Sequence, residues 1–368
     1  MSCESAIDRL RRVTWGYQEA CVLGAAAELD VFTAILEHGN GLAVEELAEE
    51  LLQAGRLRSQ DARGLTVLLD ALAAAGFLRK AAGGTPAFPG YSVAEGFEEL
   101  LDSRYPATFV PMIRHSACVM RSWVNLAKTV KEGVPAPRPC SILGAEEDGR
   151  SFIWAMNSIG RSLVGATVKS LCEAGVLDFG KENVRFLDIG GASGTYTQAF
   201  LEAMPGSRGT IFDLPVGIQA ARERFAGTEF AGRVTFAEGD FYRDEFPPGQ
   251  DFAWVSAIIH QHGLAETREL FRKTFRAMNP GGKIAVRDFV MDESRTLPRD
   301  GAFFGVNMLA VTKNGMVYTL AEIREALEAA GFVEVRLAVA EESMSAVIVG
   351  VKGEQVNRWR KQQPGTER

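Results

Sequence analysis

From Lys169 onward, short apolar runs alternate with amphipathic segments, which predicts an α/β fold on a doubly wound, mostly parallel sheet. Between Arg12 and Leu78 the apolar residues recur at helical spacing, which predicts an all-helical front half. Length agrees with two such parts, since 368 residues correspond to about two domains at 100–200 residues each.

In the front half, AVEELAEELLQAG and SQDARGLTVLLDALAAAGFLRK read as helices. Leu65, Leu68, Leu69 and Leu72 line one face of the second, and Gly76 stops it. The turn-rich AAGGTPAFPG and then YSV supply a short β-wing, giving a winged-helix outline. Winged helices often read DNA, but the reading helix here sets Asp61 and Asp70 beside a single Arg63, poor chemistry for phosphates. Subunit packing is the better reading. From Pro106 to Gly165 further helices flank the Pro-rich connector GVPAPRPC, and the polar EQVNRWRKQQPGTER ends the chain as a frayed tail. The expected partition is 1–104, 105–168, 169–353 and 354–368.

Composition narrows the function. Hydrophobic residues at 46% and charged residues at 24% are ordinary globular values and exclude a disordered chain. The net charge of −7 repels a phosphate backbone, so no nucleic acid is expected as a partner. With no run of about 18 uncharged apolar residues and no apolar signal core in MSCESAIDRLRR, no membrane is expected either, and the protein should be soluble and cytoplasmic. Cys3, Cys21, Cys118, Cys140 and Cys172 are scattered without a CxxC pair and read as reduced thiols. His38, His115, His260 and His262 are the only histidines, which leaves few candidates for a general base.

In the second half, strands are expected at VRFLDIG, GTIFDLP, RVTFAEGD, DFAWVSAII and KIAVRDFVM. Helices are expected at TYTQAFLEAM, VGIQAARERF, LAETRELFRKTFRAMN and TLAEIREALEAAGF. VEVRLAVA and SAVIVGVK close the chain as two more strands. A doubly wound sheet binds ligands beyond the carboxyl ends of its strands, so Asp188, Asp213, Asp240, His260 and Asp288 fall on one rim.

The turn after the first strand is DIGGASG, whose glycines let the backbone approach a ligand. It fails the GxGxxG dinucleotide fingerprint, and no GxxxxGK[ST] loop is present. Asp188 puts a carboxylate where a pyrophosphate would sit, which disfavours NAD and suits a cation. S-adenosylmethionine, with a sulfonium, an ammonium and no phosphate, has the required charge. Asp213 in FDLP stands where a carboxylate accepts ribose hydroxyls. In GDFY, Asp240 can accept from an adenine amino group while Phe241 covers the ring.

DIGGASG, FDLP, GDF and DFAWVSAIIHQHGLAETRELFRKTFRAMNPGGKIAVRDFV resemble the successive motifs of the S-adenosylmethionine-dependent O-methyltransferases of the caffeate, hydroxyindole and bacterial polyketide or phenazine type. The winged-helix half is similar to that family's dimerisation domain. The resemblance implies a Rossmann-like class I methyltransferase sheet behind a dimerisation domain, a homodimer that helps close the active site, and a small-molecule acceptor. It implies cofactor contacts at Gly190, Gly191, Asp213, Leu214, Gly239, Asp240, Phe241 and Ser256, with Asp188 beneath the methionine amino group. Departures are Ala192 for a loop glycine, Ser256 for a Lys or Arg, and HQH, His260 to His262, for the usual HDW.

Methyl transfer to a hydroxyl requires alignment, exclusion of water and removal of a proton. His260 matches the family's base, and Asp288 the acid that orients it; the family's second acid falls near the apolar Val317, so one orienting carboxylate is expected. Acceptor contacts implied by the resemblance are Phe152, Trp154, Met156 and Asn307, with Phe303 and His262 nearby. No metal is expected, although His260, His262 and Asp288 form a conceivable two-histidine, one-carboxylate triad. Methylation of sulfur or carbon, a non-methylating use of the cofactor and a winged-helix regulator remain alternatives.

Overall fold

The computed structural model describes residues 4–59, 62–81, 90–177 and 183–353. Cys3, Asp61, most of the AAGGTPAFPG turn and the tail 354–368 lie outside the described residues. The chain forms two compact units, Met1–Lys128 with Ala136–Ile159, and Thr129–Pro135 with Gly160–Arg368.

In the first unit, helices Tyr17–Leu29, Val31–Glu37, Val44–Gln53 and Arg63–Ala74 enclose a core of Phe32, Ile35, Leu47, Leu51, Leu69 and Leu72. The expected leucine face is present: Leu65, Leu69 and Leu72 are buried, Leu68 packs beside them, and Gly76 follows the helix at φ +83°. The wing is a small antiparallel sheet of Leu42–Ala43, Gly90–Val93 and Leu78–Lys80. Asp70 is tied to it, accepting from Lys80 Nζ at 2.6 Å and from Tyr91 Oη at 2.7 Å. The helix in the recognition position of a winged helix therefore spends one of its acids on intramolecular structure.

In the second unit the sheet strands are β1 (Arg185–Ile189), β2 (Arg208–Asp213), β3 (Val234–Glu238), β4 (Gln250–Ser256), β5 (Met278–Asp288), β6 (Phe332–Val339) and β7 (Ala346–Lys352). Their order is β6-β7-β5-β4-β1-β2-β3, with β7 antiparallel to both neighbours. The intervening helices are α1 (Thr195–Ala203), α2 (Pro215–Phe225), α3 (Leu264–Ala277), α4 (Arg299–Val311) and α5 (Leu320–Ala330). A capping box of Thr319 and Glu322 starts α5, and Gly331 at φ +106° ends it.

The apolar runs of β4 and β5 are continuous because both faces of the sheet are covered. Ala253, Val255, Ile284 and Val286 pack with Leu270, Phe271, Ile323 and Leu327 on one side. Phe252, Trp254 and Ala285 pack with Phe200, Ile218 and Phe225 on the other. No helix among the described residues is long and apolar enough to cross a membrane.

One expected element is shorter than the sequence suggests. DFAWVSAII reads as strand to Ile259, but β4 stops at Ser256, Ala257 turns left-handed at φ +56°, and Ile259–Gln261 form a single 3₁₀ turn. His260 therefore sits on that turn rather than on a strand end. A 3₁₀ turn does not alternate its side chains between two faces as a strand does, so His260 and His262 do not share a strand face.

Candidate active site

The rim at the carboxyl ends of β1 to β5 gathers the predicted residues. Asp188, 2% exposed, lies under the glycine loop rather than at its mouth, and its Oδ2 accepts from Thr197 Oγ1 at 2.7 Å. A Cβ on Gly191 would stand 2.7 Å from the Asp188 carboxyl carbon, so only glycine lets the loop lie on that carboxylate. Gly190, at φ +68°, faces Ile258, whose Cδ1 would lie 2.4 Å from an added Cβ. Burial raises the Asp188 carboxyl to about 7, the Thr197 bond opposes this, and the nearby Asp213 adds to it.

Asp213 ends β2 with both oxygens occupied: Oδ2 accepts from the Ala192 N–H and Oδ1 from the Leu214 N–H, each at 2.7 Å. Ala192 reaches this position at φ +47°, a region alanine enters at a cost of about 1–2 kcal/mol. Each carboxylate oxygen keeps a further lone pair for a ligand hydroxyl. Burial raises the Asp213 carboxyl, and the two backbone bonds oppose the rise.

Beyond β3, Asp240 accepts from the Tyr242 N–H at 2.8 Å. Lys273 of α3, 5% exposed, fixes this loop by donating to the carbonyls of Phe241 at 3.1 Å and Asp244 at 3.0 Å. Gly239 is required by packing, since a Cβ there would lie 2.4 Å from the Phe212 ring. Ser256, at the end of β4, accepts from Arg287 Nη1 at 2.7 Å.

His262, grouped with the acceptor contacts by the sequence, sits against this loop. Its ring centroid is 5.1 Å from that of Phe241 and 4.9 Å from that of Tyr242. The residue is 2% exposed, neither ring nitrogen has a hydrogen-bond partner among the described residues, and burial lowers its pKa to about 4.

His260 is 6% exposed and Asp288, the last residue of β5, is 1% exposed. His260 Nδ1 lies 3.0 and 2.9 Å from the two Asp288 oxygens. The same carboxylate accepts from the Phe289 N–H at 2.8 Å and the His260 N–H at 3.4 Å. An acceptor-only carboxylate puts the proton on Nδ1 and leaves Nε2 with a free lone pair. The edge of Phe304 packs on the imidazole at a centroid distance of 4.8 Å. Val317 lies in the apolar cluster of Phe289 and Met291.

The metal alternative is not assembled: His260 is committed to Asp288, His262 faces aromatic rings, and no group of three ligating side chains occurs among the described residues.

Of the remaining acceptor candidates, Asn307 lies on α4 one turn after Phe304 and is half-buried. Phe303, half exposed, has its ring 4.5 Å from the Arg299 guanidinium, whereas Phe304 meets His260. Phe152 and Trp154 are about half exposed and Met156 is partly buried on helix Ala145–Glu173, with the Phe152 ring tilted at 55° to that of His115 and 5.1 Å from it. Thr197 and Lys273 complete the site without a local sequence signature, and Phe304 rather than its neighbour Phe303 meets the imidazole.

The donor set fits S-adenosylmethionine. The glycine cradle excludes side chains, the carboxylates line successive strand ends, and the orphaned nitrogens of His262 offer hydrogen bonds beside Phe241.

Comparison with known proteins agrees. Residues 162–333 match the O-methyltransferase domain model, and residues 13–95 match the O-methyltransferase dimerisation domain. The chain is 31% identical to the tetracenomycin polyketide synthesis 8-O-methyltransferase TcmO of Streptomyces glaucescens, over 88% of this chain and 91% of that protein. It is 28% identical to the acetylserotonin O-methyltransferase of Gallus gallus, again over 88% and 91%. The human N-acetylserotonin methyltransferase in complex with S-adenosylmethionine superposes with a TM-score of 0.75 at 25% identity, over 96% of this chain and all of that one.

Proposed function

Because the chain belongs to the S-adenosylmethionine-dependent O-methyltransferase family, we propose that His260 is its general base, Asp288 the residue that orients it, and a hydroxyl on a small aromatic molecule its acceptor. The observation that carries this reading is the closed Nδ1–Asp288 contact, which leaves Nε2 as the one ring nitrogen able to take a proton.

Bound S-adenosylmethionine supplies an electrophilic methyl on a sulfonium centre. The protein's part is alignment and proton transfer. Nε2 of His260 takes the acceptor's hydroxyl proton, and Asp288 stabilises the imidazolium through Nδ1–H; the methyl that the sulfonium would supply to that oxygen leaves a neutral thioether as the S–CH3 bond breaks. Asp213 holds the ribose hydroxyls, Asp188 acts from beneath the glycine loop on the methionine ammonium, and Asp240 with Phe241 receives the nucleobase. Gly190, Gly191, Leu214, Gly239 and Ser256 supply close backbone or hydroxyl contacts. His262 joins the nucleobase wall, a reading supported by its two ring contacts.

Phe152, Trp154, Met156, Phe303 and Asn307 are proposed acceptor contacts. An aromatic acceptor is supported by the Phe304 ring against His260, with the Phe289 ring 5.3 Å from that of Phe304, and by a 32%-identical relative named as a naphthoate 3-O-methyltransferase. Sulfur or carbon methylation would leave the buried His260–Asp288 pair without a purpose. The front unit is proposed to form a homodimer, supported by its match to the dimerisation domain. We place residues 1–104 in that part, 105–168 in a connector and 169–353 in the catalytic part. A cytoplasmic site of action is supported by the free thiols Cys21, Cys118, Cys140 and Cys172.

In His260→Ala, calorimetric affinity for S-adenosylhomocysteine should stay within about threefold of wild type while turnover falls by about 10²–10⁴. Turnover at the wild-type rate would remove the base role.

A further inference from the structure

We infer that Arg287 is the anchor for the α-carboxylate of the cofactor's methionine. The inference rests on the reading of the rim as an S-adenosylmethionine site.

Arg287 is the penultimate residue of β5 and only 4% exposed. Its Nη1 donates to the neutral Ser256 hydroxyl at 2.7 Å. Nε is buried with no hydrogen-bond partner among the described residues, and the guanidinium stands 5.5 Å from the Tyr196 ring centroid. No carboxylate forms an ion pair with it among the described residues. A guanidinium offers five donors and cannot shed its charge. Burying one beside a hydroxyl and a ring leaves its desolvation poorly compensated, so a missing anion accounts for the arrangement.

Strand order identifies that anion. Along the rim β3-β2-β1-β4-β5 the side chains run Asp240, Asp213, Asp188, Ser256 and Arg287. Three acidic positions give way to a hydroxyl and then to a cation. S-adenosylmethionine carries its groups in the same order: nucleobase, ribose, then the amino acid with an ammonium and its single carboxylate. Pairing of Ser256 with Arg287 and the position of Tyr196 in the first turn of α1 set the guanidinium between the end of β4 and the helix that follows the glycine loop. A planar fork at that place suits bidentate recognition of a carboxylate.

The test compares S-adenosylhomocysteine with its decarboxylated analogue by calorimetry, on wild type, Arg287→Met and Arg287→Lys. Hydrogen bonds to charged groups contribute about 1.5–3 kcal/mol, so wild type should prefer the carboxylate form by roughly 10–100-fold. Arg287→Met should bind both within about threefold, and Arg287→Lys should keep only part of the preference. Free Arg287→Met should melt no lower than wild type, because an uncompensated charge is gone. An undiminished preference in both variants overturns the assignment while leaving the cofactor reading intact; absence of binding by wild type to either compound overturns both. Should Arg287→Met fail to fold, Arg287→Lys decides alone, and a wild-type preference in it overturns the proposal.

Discussion

Replacing Asp288 with asparagine isolates the orienting role, because shape is kept while one acceptor oxygen becomes a donor. The carboxylate meets His260 Nδ1 at 3.0 and 2.9 Å, the Phe289 N–H at 2.8 Å and the His260 N–H at 3.4 Å. An amide cannot answer all of them. With its oxygen at the Oδ2 position, its NH₂ opposes the Phe289 N–H across the shortest contact. With its oxygen at Oδ1, the NH₂ lies beside Nδ1 and favours the tautomer protonated on Nε2, which has no lone pair for the acceptor's proton. Either orientation also withdraws the negative charge facing a buried imidazolium. Loss of one partner from a buried pair costs about 3–5 kcal/mol, or roughly 10²–10⁴ in rate at 1.4 kcal/mol per tenfold. The assay is single-turnover transfer from labelled S-adenosylmethionine to any hydroxylic acceptor that wild type methylates, with S-adenosylhomocysteine affinity measured alongside. Transfer within threefold of wild type, at unchanged affinity, would refute the assignment of Asp288.

Two further predictions follow from buried titrating groups. Burial raises the Asp188 carboxyl to about 7, so part of it is protonated at neutral pH in the free protein, and a cationic ligand selects the ionised form. S-adenosylmethionine binding should therefore release protons near pH 7 and weaken as pH falls below it. Calorimetric heats identical in buffers of different ionisation enthalpy would contradict this; Thr197→Val, which deletes the 2.7 Å bond to Asp188, should move the midpoint upward. His262, with its pKa lowered to about 4, binds fewer protons folded than unfolded, where the value is about 6.5. Its contribution to stability is present above pH 6.5 and lost as pH falls toward 4. His262→Phe should flatten that part of the melting profile and, by removing two buried nitrogens without partners, raise free-protein stability by about 1–3 kcal/mol; an equally steep acid limb in the variant would contradict it.

Much of the catalytic unit was legible because its strands are bracketed by turn residues and its helices keep a 3.6 period. The glycine loop was legible for a steric reason: Gly190 and Gly191 stand where a Cβ would strike Ile258 or Asp188. The break after Ser256 was not, since Ala257 at φ +56° carries no turn chemistry and the apolar run continues through it. Phe303 and Phe304 could not be separated by sequence, because adjacent helical positions differ by 100° and only packing shows which one meets His260. Lys273 was invisible for another reason. Its partners Phe241 and Asp244 lie about thirty residues away, and a lysine on an amphipathic helix ordinarily reads as solvated.

On the proposed roles of Arg287 and Asp288, the end of β5 serves two halves of the reaction. Successive strand residues point to opposite faces, so Arg287 turns toward Ser256 and Tyr196 while Asp288 turns toward His260. The packing confirms the alternation, with Ala285 in one cluster and Ile284 and Val286 in the other. Register carries this arrangement. Arg287 pairs with Ser256 on β4 and with Val347 on β7, and Asp288 pairs with Ala346. A slip of one residue would bring an aspartate to the cofactor face and remove the base's partner from the other. Central placement between two paired strands makes that slip expensive, which is a physical reason for both charged residues to sit on this strand rather than on an edge.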